Sequence, residues 1–133
     1  MLAASVILCT HNRGPLIETT IQSVLEQDFP AAGFEILVVD NASNDATPAL
    51  LRAIAARHAG RIRIVREPRL GLSRARNLGI RESRGEVIAF TDDDARVTPR
   101  WLPAWTVPCG RCSKTSAKLR QARARRHGGP PRR

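Results

Sequence analysis

Three carboxylates stand side by side at Asp92-Asp93-Asp94, directly after the largely apolar run Glu86-Val87-Ile88-Ala89-Phe90-Thr91. Adjacent like charges repel, and in a compact site they are costly unless a cation neutralises them. A hard divalent ion, Mg2+ or Mn2+, does so through oxygen ligands. Asp92 and Asp94 alternate to the same side of an extended chain, so both can approach one ion whose remaining positions go to water and a diphosphate. An ion held there neutralises a departing nucleotide diphosphate. A solvated acidic loop is the other reading of such a pattern, and the place of this one at the end of an apolar strand favours the metal.

Polar residues follow two other apolar runs in the same way. Ser5-Val6-Ile7-Leu8-Cys9 leads into Thr10-His11-Asn12-Arg13, and Glu35-Ile36-Leu37-Val38-Val39 leads into Asp40-Asn41-Ala42-Ser43-Asn44-Asp45. Asp40 suits hydrogen bonding to a base or ribose, as acidic residues do at the second strand of nucleotide-binding sheets, or else capping of the loop behind it. In Gly71-Leu72-Ser73-Arg74-Ala75-Arg76-Asn77-Leu78-Gly79, two guanidinium groups sit at a helix start, where free backbone N–H groups also favour a phosphate. A solvated basic helix end is the alternative there. His11 has no nucleophile beside it, which leaves it a part in shaping the loop.

The elements that must carry these groups alternate β-branched runs with helical periodicity, the pattern of βαβ units and a mostly parallel sheet. Four strands are expected, at residues 5–9, 35–39, 62–65 and 86–90. The first, second and fourth read as nearly continuous apolar runs, as strands covered on both faces do. One helix opens near Pro15, carries Leu16, Ile17, Ile21, Val24 and Leu25 on its apolar face and ends before Pro30. A second starts with Thr47 as cap and Pro48 as first helical residue, buries Leu50, Leu51, Ile54 and Ala55, and closes at Gly60. A third is capped by Ser73 and runs to Gly85, with Gly79 inside it implying a close packing contact. In open parallel sheets ligands bind beyond the carboxyl ends of the strands, and that is where the polar segments fall.

The chain of 133 residues is 42% hydrophobic and formally +10 at pH 7. The charge is uneven: residues 1–105 hold thirteen arginines against all twelve acids, whereas residues 106–133 hold nine Lys and Arg and no acid. Basicity therefore belongs to the end of the chain, whose Arg, Ser, Gly and Pro mixture reads as a disordered tail. That tail has no aromatic residue to stack a base, so nucleic acid is an unlikely partner, though a basic protein acting through its tail is the non-enzymatic alternative. Cys109 and Cys112 have metal-knuckle spacing without a second pair, and Cys9 sits in an apolar run as a buried free thiol does. No stretch approaches the roughly 20 apolar residues of a bilayer span, and no signal-peptide pattern opens the chain, which fits a cytoplasmic protein.

Taken together, the segments at Ser5–Arg13, Glu35–Thr47, Gly71–Gly79 and Gly85–Asp94 resemble the donor-binding half of family 2 glycosyltransferases, over roughly residues 4–105. The resemblance implies a truncated GT-A fold, α/β and Rossmann-like, and inverting transfer from a nucleotide-diphosphate sugar, usually a UDP-sugar. It implies that Thr10 and Asp40 contact the base and that Arg76 and Asn77 lie beside the ribose and diphosphate. Asp92 faces the ribose side and Asp94 binds the metal, with Asn12, Arg13 and Asp93 completing the donor site. Pro99-Arg100-Trp101-Leu102 resembles the helix after the metal motif, and some relatives are peripheral at the membrane. Family members continue through an acceptor site and a carboxylate that deprotonates the acceptor hydroxyl. No Asp or Glu follows Asp94 here, so no catalytic base is assigned, little or no transfer is expected of this chain alone, and the acceptor stays unassigned. The abrupt change of composition near Thr106 suggests translation in a shifted frame.

Overall fold

The structure, a computed structural model, describes residues 1–106. The expectations for the basic tail, namely its disorder, shifted frame, cysteine pair and affinity for polyanions, lie outside the described residues apart from Thr106. Four strands and four α-helices alternate: β1 (Ala4–Thr10), α1 (Leu16–Leu25), β2 (Phe34–Asn41), α2 (Thr47–Arg57), β3 (Ile62–Glu67), α3 (Leu72–Glu82), β4 (Val87–Asp92) and α4 (Trp101–Thr106). The strands form one fully parallel sheet in the order β3-β2-β1-β4, as the βαβ pattern requires.

Alternation along each strand divides the core in two. Val6 and Leu8 of β1, Ile36 and Val38 of β2 and Ala89 of β4 pack with Ile17, Ile21 and Val24 of α1, Leu51 and Ile54 of α2 and Leu102 of α4. On the opposite face Ile7, Leu37 and Val39 meet Ala75 of α3. Gly79 lets α3 lie close on that face, since a Cβ there would sit 2.7 Å from Ile7 Cγ2 and 3.3 Å from Val39 Cγ2.

Several local expectations change. Leu16 is 59% exposed, because it begins the first turn before α1 reaches the sheet. The buried face of α1 instead includes Thr20 and Ser23, which have polar partners described below. Thr47 is the first residue of α2 rather than its cap. Ala46 holds the cap position, Asp45 Oδ1 accepts the Thr47 N–H at 2.8 Å, and the Thr47 hydroxyl accepts the Gly14 N–H at 2.9 Å. α3 starts at Leu72 behind Gly71, so Ser73 is already helical. β4 is an edge strand and only Ala89 of it is buried, with Phe90 39% exposed, where cover on both faces was expected.

The amino ends of the strands are tied by a buried polar knot. Ser5 Oγ donates to Glu35 Oε1 at 2.6 Å and accepts the Gly85 N–H at 2.8 Å; Arg84 N–H donates to Glu35 Oε1 at 2.8 Å, and Arg63 Nε to Glu35 Oε2 at 2.9 Å. Burial pushes the Glu35 carboxyl up, but the hydrogen bonds from Arg63, Ser5 and Arg84, with the Arg63 charge, outweigh it and hold the pKa below the ordinary value. A Cβ on Gly85 would run into the backbone of Ala4 and Ser5, so β4 can lie against β1 only with glycine at this corner.

Two predictions follow from these contacts. Glu35→Ala leaves three donors facing a void and should cost about 3 kcal/mol in urea unfolding, part of the loss being offset by solvation of Arg63. The depressed pKa means that the ionic contribution is complete above the ordinary glutamate value of about 4.3 and is lost as pH falls through the lower folded value. Glu35→Gln should therefore flatten the acid limb of a melting-temperature profile between about pH 6 and about pH 2. Gly85→Ala should destabilise by about 3 kcal/mol or more and Gly79→Ala by about 1 kcal/mol, since Ile7 can shift slightly whereas strand backbone cannot. Equal costs at the two glycines in the same unfolding measurement would contradict this account.

Candidate functional site

Because the sheet is parallel, every strand delivers its carboxyl end to one edge. The chain places β2 and β3 on one side of β1 and then crosses to lay β4 on the other, so strand order reverses between β1 and β4. Ligands bind in open α/β sheets at such a reversal. A cleft of about 600 Å³ lies there, lined by the loop after β1, the end of β4 and the start of α3.

The acidic turn forms one wall. β4 ends at Asp92, and the Ala95 N–H bonds the Asp92 carbonyl at 3.2 Å, so the chain turns where an extended run was expected. The turn still puts Asp92 and Asp94 on the exposed side and Asp93 inward. Asp93 Oδ2 accepts Arg13 Nε at 3.2 Å, and the Asp93 carbonyl accepts the Thr20 hydroxyl at 2.9 Å. Further along, Val97 N–H donates to Ser23 Oγ at 3.2 Å, and the Gln27 amide bonds the Thr98 carbonyl at 2.7 Å and the Leu102 N–H at 2.7 Å. Thr20 and Ser23 of α1 and Gln27 just past its end, spaced three and four apart, form a polar stripe that anchors the acidic segment. Sequence reading overlooked them, because hydroxyl and amide side chains inside an apolar helix face give no signal until their partners are known.

The loops after β1 and β2 are clamped to each other. Asn12 Nδ2 donates to Asn44 Oδ1 at 2.8 Å, Asn44 N–H returns to Asn12 Oδ1 at 2.9 Å, and Asn12 N–H meets Ser43 Oγ at 3.0 Å. His11 Nδ1 donates to the Asn41 carbonyl at 2.8 Å, a part in shaping the loop. Asn12 and Ala42 both have positive φ, at 49° and 57°, a conformation that is uncommon for residues with a Cβ. Asp40 is buried and does not line the cleft: Oδ2 accepts Arg66 Nη1 at 2.6 Å and Oδ1 accepts the Ser43 N–H at 3.2 Å.

Thr10, Asn12, Arg13, Arg76 and all three aspartates do line the cleft, whereas Asp40 and Asn77 stand outside its lining. The Thr10 hydroxyl is buried with no hydrogen-bond partner among the described residues. Beside it, burial lifts the Cys9 thiol to a pKa of about 11, against the pull of the Arg76 charge and with the push of Asp93. Arg76 is exposed, and among the described residues no carboxylate lies within ion-pair distance of it. Cys9, Asn41, Leu70, Leu72 and Phe90 complete much of the lining and carried no chemical signal in the sequence.

The cleft thus offers carboxylate oxygens on one wall and a guanidinium on another. Among the described residues no three His, Cys, Asp or Glu side chains converge to hold a metal by themselves. Asp92 and Asp94 fit a hard divalent ion that draws its other ligands from phosphate and water. No helix among the described residues is long and apolar enough to cross a membrane.

Comparison with known proteins agrees with this architecture. Residues 5–105 match the model of glycosyl transferase family 2. The chain is 33% identical over 98 residues to the glycosyltransferase AglE of Haloferax volcanii, covering 74% of this chain and 32% of that protein. Its fold superposes on a mannosyltransferase of Pyrobaculum calidifontis in complex with GDP-Man and Mn2+, with a TM-score of 0.71 and 36% identity over 75% of this chain and 30% of that one. It also superposes on Staphylococcus aureus TarS in complex with UDP-GlcNAc, with a TM-score of 0.70 and 28% identity over 77% of this chain and 30% of that structure. The chain spans about a third or less of the length of these relatives. From residue 5 to residue 105, it belongs to glycosyl transferase family 2.

Proposed function

We propose that this chain binds a nucleotide-diphosphate sugar in the cleft between β1 and β4, with Mg2+ or Mn2+, as the donor side of an inverting, hexosyltransferase-type enzyme. The observation that carries the reading is the pairing of exposed Asp92 and Asp94, neither in an ion pair among the described residues, with the exposed guanidinium of Arg76 in the same cleft. A diphosphate bridges such groups, because its oxygens accept from Arg76 and share a cation with the carboxylates. When bound, the ion neutralises negative charge on the leaving diphosphate.

The chain's own residues divide the donor between them. Asp94 takes the metal, and Asp92 stands between metal and ribose. Arg76 holds the diphosphate with Asn77 behind it. Arg13 stays paired with Asp93 and keeps the acidic turn in place. The orphan hydroxyl of Thr10 gives the donor a hydrogen-bonding group at the base end, where Asp40 braces the loop and Asn12 locks it. Solved relatives are in complex with GDP-Man in one case and UDP-GlcNAc in another, so uracil and guanine are the bases to compare, uracil first. Acceptor activation is assigned to none of these residues, and transfer by this chain alone should be slight.

Titration calorimetry of the purified chain with UDP decides the matter. Binding should strengthen about tenfold or more when Mn2+ is added, and Asp94→Ala should abolish that gain while leaving the melting temperature nearly unchanged. Metal-independent binding, or none at millimolar UDP, would sink the proposal. Thr10→Val, close in volume, should weaken UDP by about threefold to tenfold through loss of one hydrogen bond.

A further inference from the structure

Asn41 closes β2 beside the cleft and is 4% exposed. Its carboxamide is spent on one segment of chain. Nδ2 donates to the carbonyls of Glu67 at 3.2 Å and Arg69 at 2.8 Å, and Oδ1 accepts the Gly71 N–H at 2.9 Å. The next stretch, Leu70-Gly71-Leu72, forms a wall of the cleft. Leu70 and Leu72 are 65% and 54% exposed, so their side chains contribute little packing to hold the wall. Gly71 has φ 151° and is the residue before α3, on which Arg76 follows. Glu67 Oε1 accepts the Arg69 N–H at 3.0 Å, and beyond that point the buried Asn41 amide sets the path of the chain into the helix that carries the guanidinium.

We propose that Asn41 is a positioning residue for the donor, fixing the 67–72 wall and through it the place of Arg76 opposite the acidic turn. This rests on the cleft being a nucleotide-sugar site. The requirement is for an amide in particular, since two carbonyls need donors and one N–H needs an acceptor. A carboxylate of the same size keeps the acceptor but turns negative oxygens toward two carbonyls.

Asn41→Asp in the full chain tests this with two readouts, hydrogen exchange over residues 69–75 and affinity for UDP with Mn2+. At about pH 7.5 exchange should quicken, and affinity should fall about tenfold or more below that of the native chain at the same pH. Protonation of the new carboxyl supplies one donor, so the gap to native should narrow about threefold or more as the pH is lowered through its titration. His11, which donates to the Asn41 carbonyl, and the nearby Asp40, Arg66, Glu67 and Arg69 also face the new carboxyl, and comparison with the native chain at each pH removes the part of the pH dependence that the two proteins share. Asn41→Ala removes the three bonds without adding charge and should loosen the segment alike at each pH. Native-like exchange in either variant, or native affinity for UDP with Mn2+ in both, overturns the proposal. A native chain that does not bind UDP overturns the donor reading instead, and exchange over 69–75 still decides whether Asn41 holds the wall.

Discussion

β1 has a hydrogen-bonded strand on each side and a helical layer over each face, so no backbone polar group along it can turn to water. Its side chains from Ala4 to Leu8 are fully buried, and the one polar residue among them, Ser5, is absorbed into the knot with Glu35 and Gly85. Burial of that kind is tolerated only while neighbouring strands stay in register, since an unpaired group in the interior costs about 1–3 kcal/mol. The register then aligns Thr10 with Asp40, and Asp40 with Arg66, across three strands. With β4 paired on the other side, Cys9 comes level with Asp92. The meeting of distant polar segments at one edge is thus a consequence of how β1 must be covered.

The two edges of the sheet use charge in opposite ways. At the amino edge Glu35 has its donors in place and serves stability. At the carboxyl edge three consecutive aspartates would repel one another if all faced the same medium. The chain relieves this by turning Asp93 inward to Arg13 and by anchoring the turn to Thr20 and Ser23 of α1. The two remaining carboxylates stay solvated, where their mutual repulsion is weak.

Much of this was legible in the sequence because strand and helix periods differ and because the polar segments directly follow apolar runs. The strand positions, the parallel sheet, the close approach at Gly79 and the acidic cluster at a strand end all came from those patterns, although the cluster turns where an extended run was expected. What stayed hidden depends on partners far away in the chain. Leu16 matches the apolar period yet lies ahead of the sheet, Thr20 and Ser23 break it yet are buried, and Asn41 looks like a loop residue but holds another loop. A period reports which way a side chain leaves the helix or strand. It cannot report whether a hydroxyl or amide finds its partner seventy residues later.

That distinction also separates the polar groups in and beside the cleft. Asn12, Asp40, Asn41 and Asp93 are of the types that contact nucleotides, but their hydrogen bonds within the chain fix loops in shape, including the positive φ of Asn12 and Ala42. Thr10 Oγ1, Arg76, Asp92 and Asp94 face the same cleft without a hydrogen bond or ion pair of their own side chains among the described residues. Strained, internally satisfied loops are costly to rearrange, whereas the buried Thr10 hydroxyl gains a missing partner, and the three exposed charges exchange water, on meeting a ligand. Pre-organisation of the first set lowers the entropy lost when the second set binds. Residue type alone does not separate these eight; the hydrogen bonds divide them into groups that hold the loops in shape and groups left open to the cleft.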